Sequence, residues 1–374
     1  MKRRDLLACA ALAPAAALAA RPALPARAWR TFDVVTHVDV AGPSAPTRVW
    51  LPVPLREAGD YQRVVAMRWH APGARARLVD LDTYDIRALV VDWPSPRATT
   101  QVTFSARLRT RDRNATLDSK PAGSDEPTDT LRPYLRPTRL LPTDGIVADT
   151  ARRITAGHRD DVGMARAIYE WVVEHTNRDA SVPGCGVGDV ASMLESGHLG
   201  GKCADINALF VALARACGIP ARDAYGLRVG ASRVGFHCLG KAGEVSRSQH
   251  CRAEFHARGH GWIPVDPADV RKVVLEEDGG IPLDAPKARA AREAMFGGWE
   301  MNRVAYNHGH DVVLPGSDGR PLPYFMYPQG RTGERHLDSL DPSSFAYRII
   351  STEIAWGQTG GVAAGWDAAA RART

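Results

Sequence analysis

The stretch Gly200-Gly201-Lys202-Cys203-Ala204-Asp205-Ile206-Asn207-Ala208-Leu209-Phe210 places a cysteine between a glycine-rich loop and the strongest helical pattern of the chain. Apolar side chains at helical spacing predict a helix over residues 204–217, and Gly218 and Pro220 end it. A cysteine just ahead of the first helical turn faces the positive end of the helix dipole and free backbone N–H groups, which favour the thiolate. The pattern therefore predicts that Cys203 is a nucleophile, with a small buried hydrophobic residue as the alternative.

A histidine and an aspartate follow on a predicted β-hairpin. Strands are predicted over residues 249–257 and 262–265, with glycines between them. A three-residue loop centred on Arg258 places His250 directly opposite Asp266, with Cβ atoms ~5 Å apart. The imidazole of His250 can then accept the thiol proton, while the carboxylate of Asp266 fixes the tautomer of the ring.

The segments around these three residues resemble those of the transglutaminase-like superfamily, and they occur in the same order. The resemblance runs over roughly residues 150–275 and rests on three segments. The cysteine segment runs from Gly200 to Arg222 and contains Gly200-Gly201-Lys202-Cys203-Ala204-Asp205 at its start and Ala216-Cys217-Gly218-Ile219-Pro220-Ala221-Arg222 at its end. The histidine segment is Gln249-His250-Cys251-Arg252-Ala253-Glu254, and the aspartate segment is Gly259-His260-Gly261-Trp262-Ile263-Pro264-Val265-Asp266-Pro267. It implies a papain-like α+β core with Cys203 as nucleophile, His250 as base and Asp266 as the residue that orients His250.

The chain departs from the family pattern at one position and leaves one role open. The family often has an aromatic residue two positions after the histidine, and this chain has Arg252, which we expect to alter the lining of the cleft. The backbone N–H of Cys203 can supply one oxyanion donor. Trp171, Gln249 and Trp262 are the candidates for the second.

Other histidines, carboxylates and thiols offer competing assignments. His256 and His260 are alternative bases, although both flank the predicted turn, and Asp269 is an alternative orienting carboxylate outside the predicted strand. Cys251, His256 and His260, with Cys203, have spacing that a zinc ion can use, but no C-x-x-C or H-E-x-x-H motif accompanies them. We predict no metal and no cofactor. The segment 302–311, which contains Asn302, Arg303, His308, Gly309, His310 and Asp311, is predicted to be mainly a solvated loop.

The length of 374 residues predicts more than one core. Short strand-like runs at residues 31–40, 48–54, 88–93 and 101–108 favour a β-sandwich over residues 29–113. Residues 114–148 form a proline-rich connector, residues 149–280 the catalytic core, and residues 281–374 a C-terminal extension with a frayed tail. The predicted fold class is α+β, with an N-terminal β-sandwich before a papain-like transglutaminase core. Bacterial exported members of the superfamily with an extra N-terminal domain resemble this arrangement.

The first 28 residues have the features of an export signal. An arginine pair, Arg3-Arg4, precedes an alanine- and leucine-rich stretch, and Ala26-Arg27-Ala28 is a small-x-small cleavage site. The arginine pair indicates the twin-arginine type, with a general secretory signal as the alternative. We therefore expect a periplasmic or secreted protein with no stable membrane insertion after signal cleavage.

Charge and cysteine content limit the partners and the covalent cross-links. The net charge is +6, of which the predicted signal contributes +4, so a basic surface for nucleic acid is not predicted. Removal of Cys9 with the signal leaves five cysteines, an odd number that implies at least one free thiol. If Cys203 is that thiol, the other four permit up to two disulfides or four more free thiols.

These features together predict a thiol-dependent acyl-transfer enzyme that acts on peptide or protein amides, including those of the cell envelope. Cys203 would attack the amide carbonyl and form a thioester. Hydrolysis by a peptidase or amidase is favoured, because no amine-binding carboxylate cluster is visible. Protein crosslinking by a transglutaminase and a non-catalytic envelope-binding protein on the same fold are the alternatives.

Overall fold

The computed structural model describes residues 28–59, 61–81, 84–96, 99–117 and 126–355. The predicted export signal, apart from Ala28, and the predicted frayed tail from residue 356 lie outside these residues. None of the described helices has the length and apolar composition needed to cross a bilayer.

The N-terminal part is built from strands, because β-branched and aromatic residues alternate with polar ones between turn residues. In the first strand, for example, Phe32, Val34, Val38 and Val40 are buried. The strands are β1 (Arg30–Ala41), β2 (Thr47–Pro52), β3 (Glu57–Ala58), β4 (Gln62–His70), β5 (Arg75–Leu81), β6 (Ile86–Trp93), β7 (Thr99–Thr110) and β8 (Arg113–Asn114).

The middle of the chain alternates helices with strands. Its elements are α1 (Thr128–Leu131), α2 (Gly145–Ile154), α3 (Asp161–His175), β9 (Asn177–Arg178), α4 (Val190–Ser196), β10 (Gly200–Gly201), α5 (Cys203–Ala216), β11 (Ala221–Arg228), β12 (Gly243–Glu244), β13 (Gln249–Ala257), β14 (Gly261–Val265) and α6 (Pro267–Glu276). Short 3-10 turns lie at Arg132–Leu135, His237–Leu239 and Glu277–Gly279. Residues 126–148, predicted as an extended connector, thus contain α1 and a 3-10 turn, whose Tyr134 is buried against Trp262.

The C-terminal part returns to strands after one helix. Its elements are α7 (Pro286–Ala294), β15 (Gly298–Trp299), β16 (Arg303–Asn307), β17 (Gln329–Thr332), β18 (Arg335–Leu337) and β19 (Ala346–Ile354). The segment predicted as a solvated loop at 302–311 is instead largely buried, since all 5 residues of β16 are buried and Arg303, His308 and His310 are each at most 5% exposed. That prediction was wrong, because polar residues in this segment are held by buried hydrogen bonds rather than by water.

Two larger sheets form the N-terminal sandwich. The six-stranded sheet has the order β12-β19-β1-β7-β4-β3, and the five-stranded sheet has the order β18-β17-β2-β6-β5. Apolar side chains of both sheets, such as Phe32 and Leu108 from one and Leu51 and Leu89 from the other, belong to one hydrophobic core. The α+β class, with N-terminal antiparallel sheets ahead of a core of helices and strands, is confirmed.

Strands from the C-terminal part complete both sheets of the sandwich. β19 pairs with β1 in antiparallel register from Thr31 opposite Ile354 to Asp39 opposite Ala346. β17 pairs with β2, and β12 of the middle region pairs with the other edge of β19. The residues predicted as a C-terminal extension are therefore integral to the N-terminal sheets.

The middle region folds around α5. This helix packs against a four-stranded antiparallel sheet of order β14-β13-β11-β16, and α2, α3, α4 and α6 surround it. Residues 203–215 are all buried, because the helix is apolar around most of its circumference and covered on every side. The first residue of this enclosed helix is Cys203, so the fold holds the thiol at a fixed position.

Candidate active site

The start of α5 is held by a carboxylate one turn into the helix. Asp205 Oδ2 accepts the Lys202 N–H at 2.9 Å, and Asp205 Oδ1 accepts the N–H groups of Val187 and Gly188 at 2.9 Å each. The Ala204 N–H donates to the Cys185 carbonyl oxygen at 2.9 Å. These bonds satisfy free donors at the helix start and attach it to the loop before α4. As the first helical residue, Cys203 has a backbone N–H without an intrahelical acceptor.

Glycine is required where this loop approaches Asp205. Gly186 has φ +89°, and a Cβ atom there would lie 1.8 Å from Asp205 Oδ2. A Cβ atom at Gly201 would lie 2.5 Å from Asp205 Cβ. Any larger residue at these two positions would displace Asp205, and with it the start of the helix that carries Cys203.

The hairpin that carries His250 has a different register from the predicted one. Ala253 pairs with Val265 and Ala257 with Gly261, so the three-residue loop is centred on Gly259 instead of Arg258. The expected direct opposition of His250 and Asp266 was therefore wrong. In this register Arg252 stands across from Asp266, and His250 is its diagonal neighbour on the same face.

The predicted contact between His250 and Asp266 is nevertheless confirmed. His250 Nε2 lies 2.9 Å from Asp266 Oδ2, and both side chains are almost fully buried. Because the ionised carboxylate only accepts hydrogen bonds, Nε2 carries the proton. The other ring nitrogen, Nδ1, is left to accept the proton of a thiol.

A second carboxylate lies beside the same ring nitrogen. Asp269 Oδ1 is 3.3 Å from His250 Nε2, although the sequence favoured Asp266 strongly over it. Asp266 is the N-cap of α6 and accepts the Asp269 N–H at 3.0 Å through Oδ1, so the first helical turn brings the two carboxylates together. The spacing Asp266-Pro267-Ala268-Asp269, with its cap and proline at N1, is the signal that predicts this turn.

Two buried arginines compensate the charge of the carboxylate pair. Arg252 Nε lies 3.0 Å from Asp266 Oδ2 and its Nη2 lies 3.7 Å from Asp269 Oδ2, while Arg228 forms an ion pair with Asp269. Arg252 also donates to the Glu300 carbonyl oxygen at 2.7 Å. The expectation that Arg252 alters the cleft lining was wrong, because its side chain lies behind the carboxylates in a separate small cavity.

The carboxylates and His250 also form a group of potential metal ligands, with ligand atoms within 4.8 Å of one another. Each carboxylate, however, already has a guanidinium as its cationic partner, so the charge that a metal ion would neutralise is already compensated. The alternative zinc site is not formed by the described residues, because the possible ligand atoms of Cys251, His256, His260 and Cys203 do not come together in one group. His256 packs against Trp262 instead, with ring centroids 5.6 Å apart.

The buried thiols set the protonation of Cys203. Hydrogen bonds from Cys185 and, to a smaller extent, Cys251 lower the pKa of Cys203, and His250 lowers it further. Together these interactions outweigh the effect of burial, so the pKa of Cys203 lies well below its usual value. Cys185, Cys203, Cys217, Cys238 and Cys251 are all free thiols. The sequence did not predict that two of them would act on the nucleophile, because they lie on separate segments.

The pKa of His250 moves in the opposite direction. Burial and the nearby Arg228 lower it, but Asp269 and Asp266 outweigh both and raise it above the usual value. A lowered thiol pKa beside a raised imidazole pKa favours a thiolate–imidazolium pair. This is the protonation state that a thiol nucleophile requires.

Cys203, Gln249 and His250 line a cavity of about 740 Å³. Its other walls come from the loop between β11 and β13 and from residues 339–347 before and at the start of β19. The cavity therefore lies where the middle region meets the C-terminal strand. Cys203 is only 3% exposed and is reached through this cavity.

Of the three candidates for the second oxyanion donor, only Gln249 lines this cavity. Its Nε2 is buried and forms no well-aligned hydrogen bond with the residues that the structure describes, and the side chain lies beside the Tyr347 hydroxyl. Trp171 instead stacks on His175 with ring centroids 4.5 Å apart. Trp262 packs against the guanidinium of Arg222, whose Cζ lies 3.8 Å from the centroid of the indole ring. Of the three candidates, Gln249 is thus the one whose side chain lines the cavity that also contains Cys203.

Comparison with known proteins gives one family match, one relative and two similar solved structures. Residues 148–267 match the model of the transglutaminase-like superfamily. An uncharacterized protein of Haemophilus influenzae is 34% identical over 340 residues, which cover 87% of this chain and 90% of that protein. Among solved structures, a candidate cysteine protease from Cytophaga hutchinsonii is 19% identical with a TM-score of 0.49, over 79% of this chain and 96% of that one. The periplasmic domain of TgpA from Pseudomonas aeruginosa is 14% identical with a TM-score of 0.34, over 65% of this chain and 96% of that one.

Proposed function

The chain belongs to the transglutaminase-like superfamily, and from this premise we propose that it is a thiol-dependent acyl-transfer enzyme that hydrolyses peptide or protein amides. One observation carries the proposal: a buried thiol with a lowered pKa and a histidine bonded to a carboxylate line the same cavity. The proposed catalytic residues are Cys203, His250 and Asp266. The proposed location is the periplasm or the extracellular medium, in keeping with the N-terminal sequence.

In the proposed reaction, the Cys203 thiolate attacks the amide carbonyl carbon and forms a tetrahedral oxyanion. The Cys203 N–H and Gln249 Nε2 are the donors proposed to stabilise this oxyanion. The intermediate then breaks its C–N bond, and the His250 imidazolium gives its proton to the leaving amine. This leaves a thioester on Cys203 and a neutral His250.

Water resolves the thioester in the second half of the reaction. Neutral His250 takes a proton from the water molecule, and the resulting hydroxide attacks the thioester carbonyl carbon. The C–S bond breaks, the carboxylic acid leaves and the thiolate–imidazolium pair is restored. The protonated Nε2 of His250 remains bonded to Asp266 throughout, which keeps Nδ1 directed at the sulfur.

The first test is the pH dependence of Cys203 alkylation by iodoacetamide, followed by peptide mass spectrometry. We expect Cys203 to react well below the free-cysteine pKa of ~8.5, and the His250→Ala variant to move this profile to higher pH. Cys217, a half-buried thiol that directly follows the last residue of α5, is the internal reference in the same samples. An unreactive Cys203, or a profile that the variant leaves unchanged, would falsify the proposal.

The second test separates hydrolysis from transamidation. A mixture of peptides of known sequence is incubated with the full chain, with and without glycine ethyl ester, and the products are identified by mass spectrometry. Hydrolysis gives free acids in both samples, and the Cys203→Ala variant gives none. Amine adducts with little free acid would replace the hydrolase with a crosslinking enzyme, and binding without any new product would favour a binding protein.

A further inference from the structure

The cavity above Cys203 is unusual in its charge. Six cationic side chains line it, and within the described part of the chain no carboxylate does. The six are Arg178, Lys202, Arg228, Lys241, Arg247 and Lys272. A concave site with one sign of charge and low-dielectric walls concentrates its potential on whatever enters it.

Part of this charge is compensated from behind the cavity wall. Arg228 is paired with Asp269. Arg178 and Lys272 share a single carboxylate, that of Glu276, at 2.8 Å and 3.4 Å respectively. Two cations on one carboxylate leave this side of the cavity with excess positive charge.

The remaining three cations have no ion-pair partner among the residues that the structure describes: Lys202, Lys241 and Arg247. Lys202 is half-buried and immediately precedes Cys203, whereas Lys241 and Arg247 are exposed on the loop before His250. They therefore approach the thiol from its own helix start and from the histidine side. A ligand bound over Cys203 occupies the cavity that all three line.

Hydrogen bonds to β19 hold the loop that carries the exposed pair. The Val245 N–H donates to the Ile349 carbonyl oxygen at 2.8 Å, and the Ser246 hydroxyl oxygen accepts the Ile349 N–H at 2.8 Å. The loop that carries Lys241 and Arg247 is thus attached to β19 between these two residues. Its cations belong to a fixed wall of the cavity.

Resting on the acyl-transfer function proposed above, we propose that the substrate is an acidic peptide, whose carboxylates lie against Lys202, Lys241 and Arg247. Arginine binds carboxylates with two parallel hydrogen bonds, and lysine does so as a point charge. The carboxylates can come from acidic side chains or from a free C-terminus, and the experiment separates these two sources. A peptide fits this site better than other polyanions because the nucleophile requires an amide carbonyl.

The test measures binding without turnover. The full chain with Cys203→Ala is titrated in a calorimeter with a glutamate-containing peptide and with the same peptide in which glutamine replaces each glutamate. Both are made with a free and with an amidated C-terminus. We expect the glutamate peptide to bind more tightly and the preference to shrink with added salt, because exposed charges are screened over ~10 Å at 0.1 M. A gain limited to the free C-terminus would assign the site to a terminal carboxylate.

Substitutions then locate the preference. In the same background, Lys241→Gln and Arg247→Gln should each weaken the glutamate peptide about two- to fivefold, and leave the glutamine peptide unchanged. Arg159→Gln, an exposed arginine outside the cavity, is the matched control and should change neither. Equal affinity for the glutamate and glutamine peptides, with no gain from a free C-terminus in either, overturns the inference. No binding by any of the peptides, or an equal loss in the control variant, overturns it as well.

The outcome is separable from that of the proposed function. Binding is measured in a variant that cannot form a thioester. Preferential binding of the acidic peptide without peptide cleavage by the wild type would therefore support the charge preference and contradict the proposed hydrolase function. Cleavage of neutral and acidic peptides at equal rates would support the hydrolase function and contradict the charge preference. On the wild type, the ratio of iodoacetate to iodoacetamide reaction rates at Cys203 should exceed that of free cysteine and fall in Arg247→Gln.

Discussion

Arg252 Nε and His250 Nε2 approach the same oxygen of Asp266, at 3.0 Å and 2.9 Å. The carboxylate thus lies between a permanent cation and a ring whose charge changes during the proposed reaction. Because Asp269 lies beside the same ring nitrogen of His250, Arg252 and Arg228 together supply the charge that lets two buried carboxylates coexist. The arginine that departs from the family pattern is part of this buried network.

Replacement of Arg252 by methionine should therefore destabilise the protein. The substitution leaves Asp266 buried with less positive charge around it, and breaking a buried ion pair costs about 3–5 kcal/mol. Urea denaturation measures the free energy of unfolding, and Arg159→Met at an exposed site should change it by less than about 0.5 kcal/mol. Equal midpoints for the two variants would contradict a structural role for Arg252.

Removal of Asp269 should shift the alkaline limit of activity. Asp269 raises the pKa of His250, so in Asp269→Asn the imidazolium is lost at a lower pH than in the wild type. The alkaline limb of kcat/KM then moves to lower pH, and an NMR titration of His250 follows the same change without turnover. Asp266→Asn is the matched variant, and it should in addition lower kcat/KM roughly 10²- to 10⁴-fold because it frees the ring tautomer. An unchanged titration of His250 in Asp269→Asn would contradict the conclusion that Asp269 raises the pKa of His250.

Removal of the Cys185 thiol should make Cys203 less acidic. The Cys185 thiol can donate to the Gln249 carbonyl oxygen, 3.3 Å away, or to Cys203, and ionisation of Cys203 makes that sulfur the stronger acceptor. In Cys185→Ala the alkylation profile of Cys203 should therefore move to higher pH, and Cys185→Ser, which keeps a donor, should move it less. Cys217→Ala is the control and should leave the profile in place. A shift of the same size in that control would show a general effect of thiol loss.

Removal of the Gln249 side-chain amide should affect the rate more than the affinity. Its donor is proposed to act only when the oxyanion forms, so Gln249→Ala should lower kcat about 10²- to 10³-fold with little change in KM. Gln101→Ala, on an exposed position of β7, is the control for loss of a glutamine. A rise in KM at constant kcat would instead indicate that Gln249 binds the substrate in its ground state.

The part of the site that could be predicted from the sequence depends on local patterns along the chain. The helix found at Cys203–Ala216 was predicted at 204–217, and the strand Gln249–Ala257 agrees with its prediction, because both have strong periodicity and glycine boundaries. The hairpin loop differs by one residue, which moves each cross-strand partner by two positions. A two-residue change preserves the face of the strand, so His250 and Asp266 still meet.

Relations between distant segments could not be predicted in this way. Nothing local to residues 346–354 specifies β1 as their partner, since an alternating strand fits many sheet edges. The burial of Arg303 likewise depends on acceptors from other strands, because its Nη2 donates to the Ala224 and His250 carbonyl oxygens at 2.7 Å each. Tertiary context decides such positions, and the polar sequence around Arg303 favoured solvent.

The pairing of β1 with β19 has a consequence for synthesis of the chain. β19 leaves the ribosome long after β1, so the edge of β1 that pairs with β19 stays unpaired until β19 has been synthesised. During that interval the strand can pair with another chain, as any exposed edge can. Truncation before Ala346 would make this state permanent, and it would also remove the strand to which the Lys241–Arg247 loop is attached. The synthesis of β19 thus supplies the strand on which both the N-terminal sheet and this wall of the cavity depend.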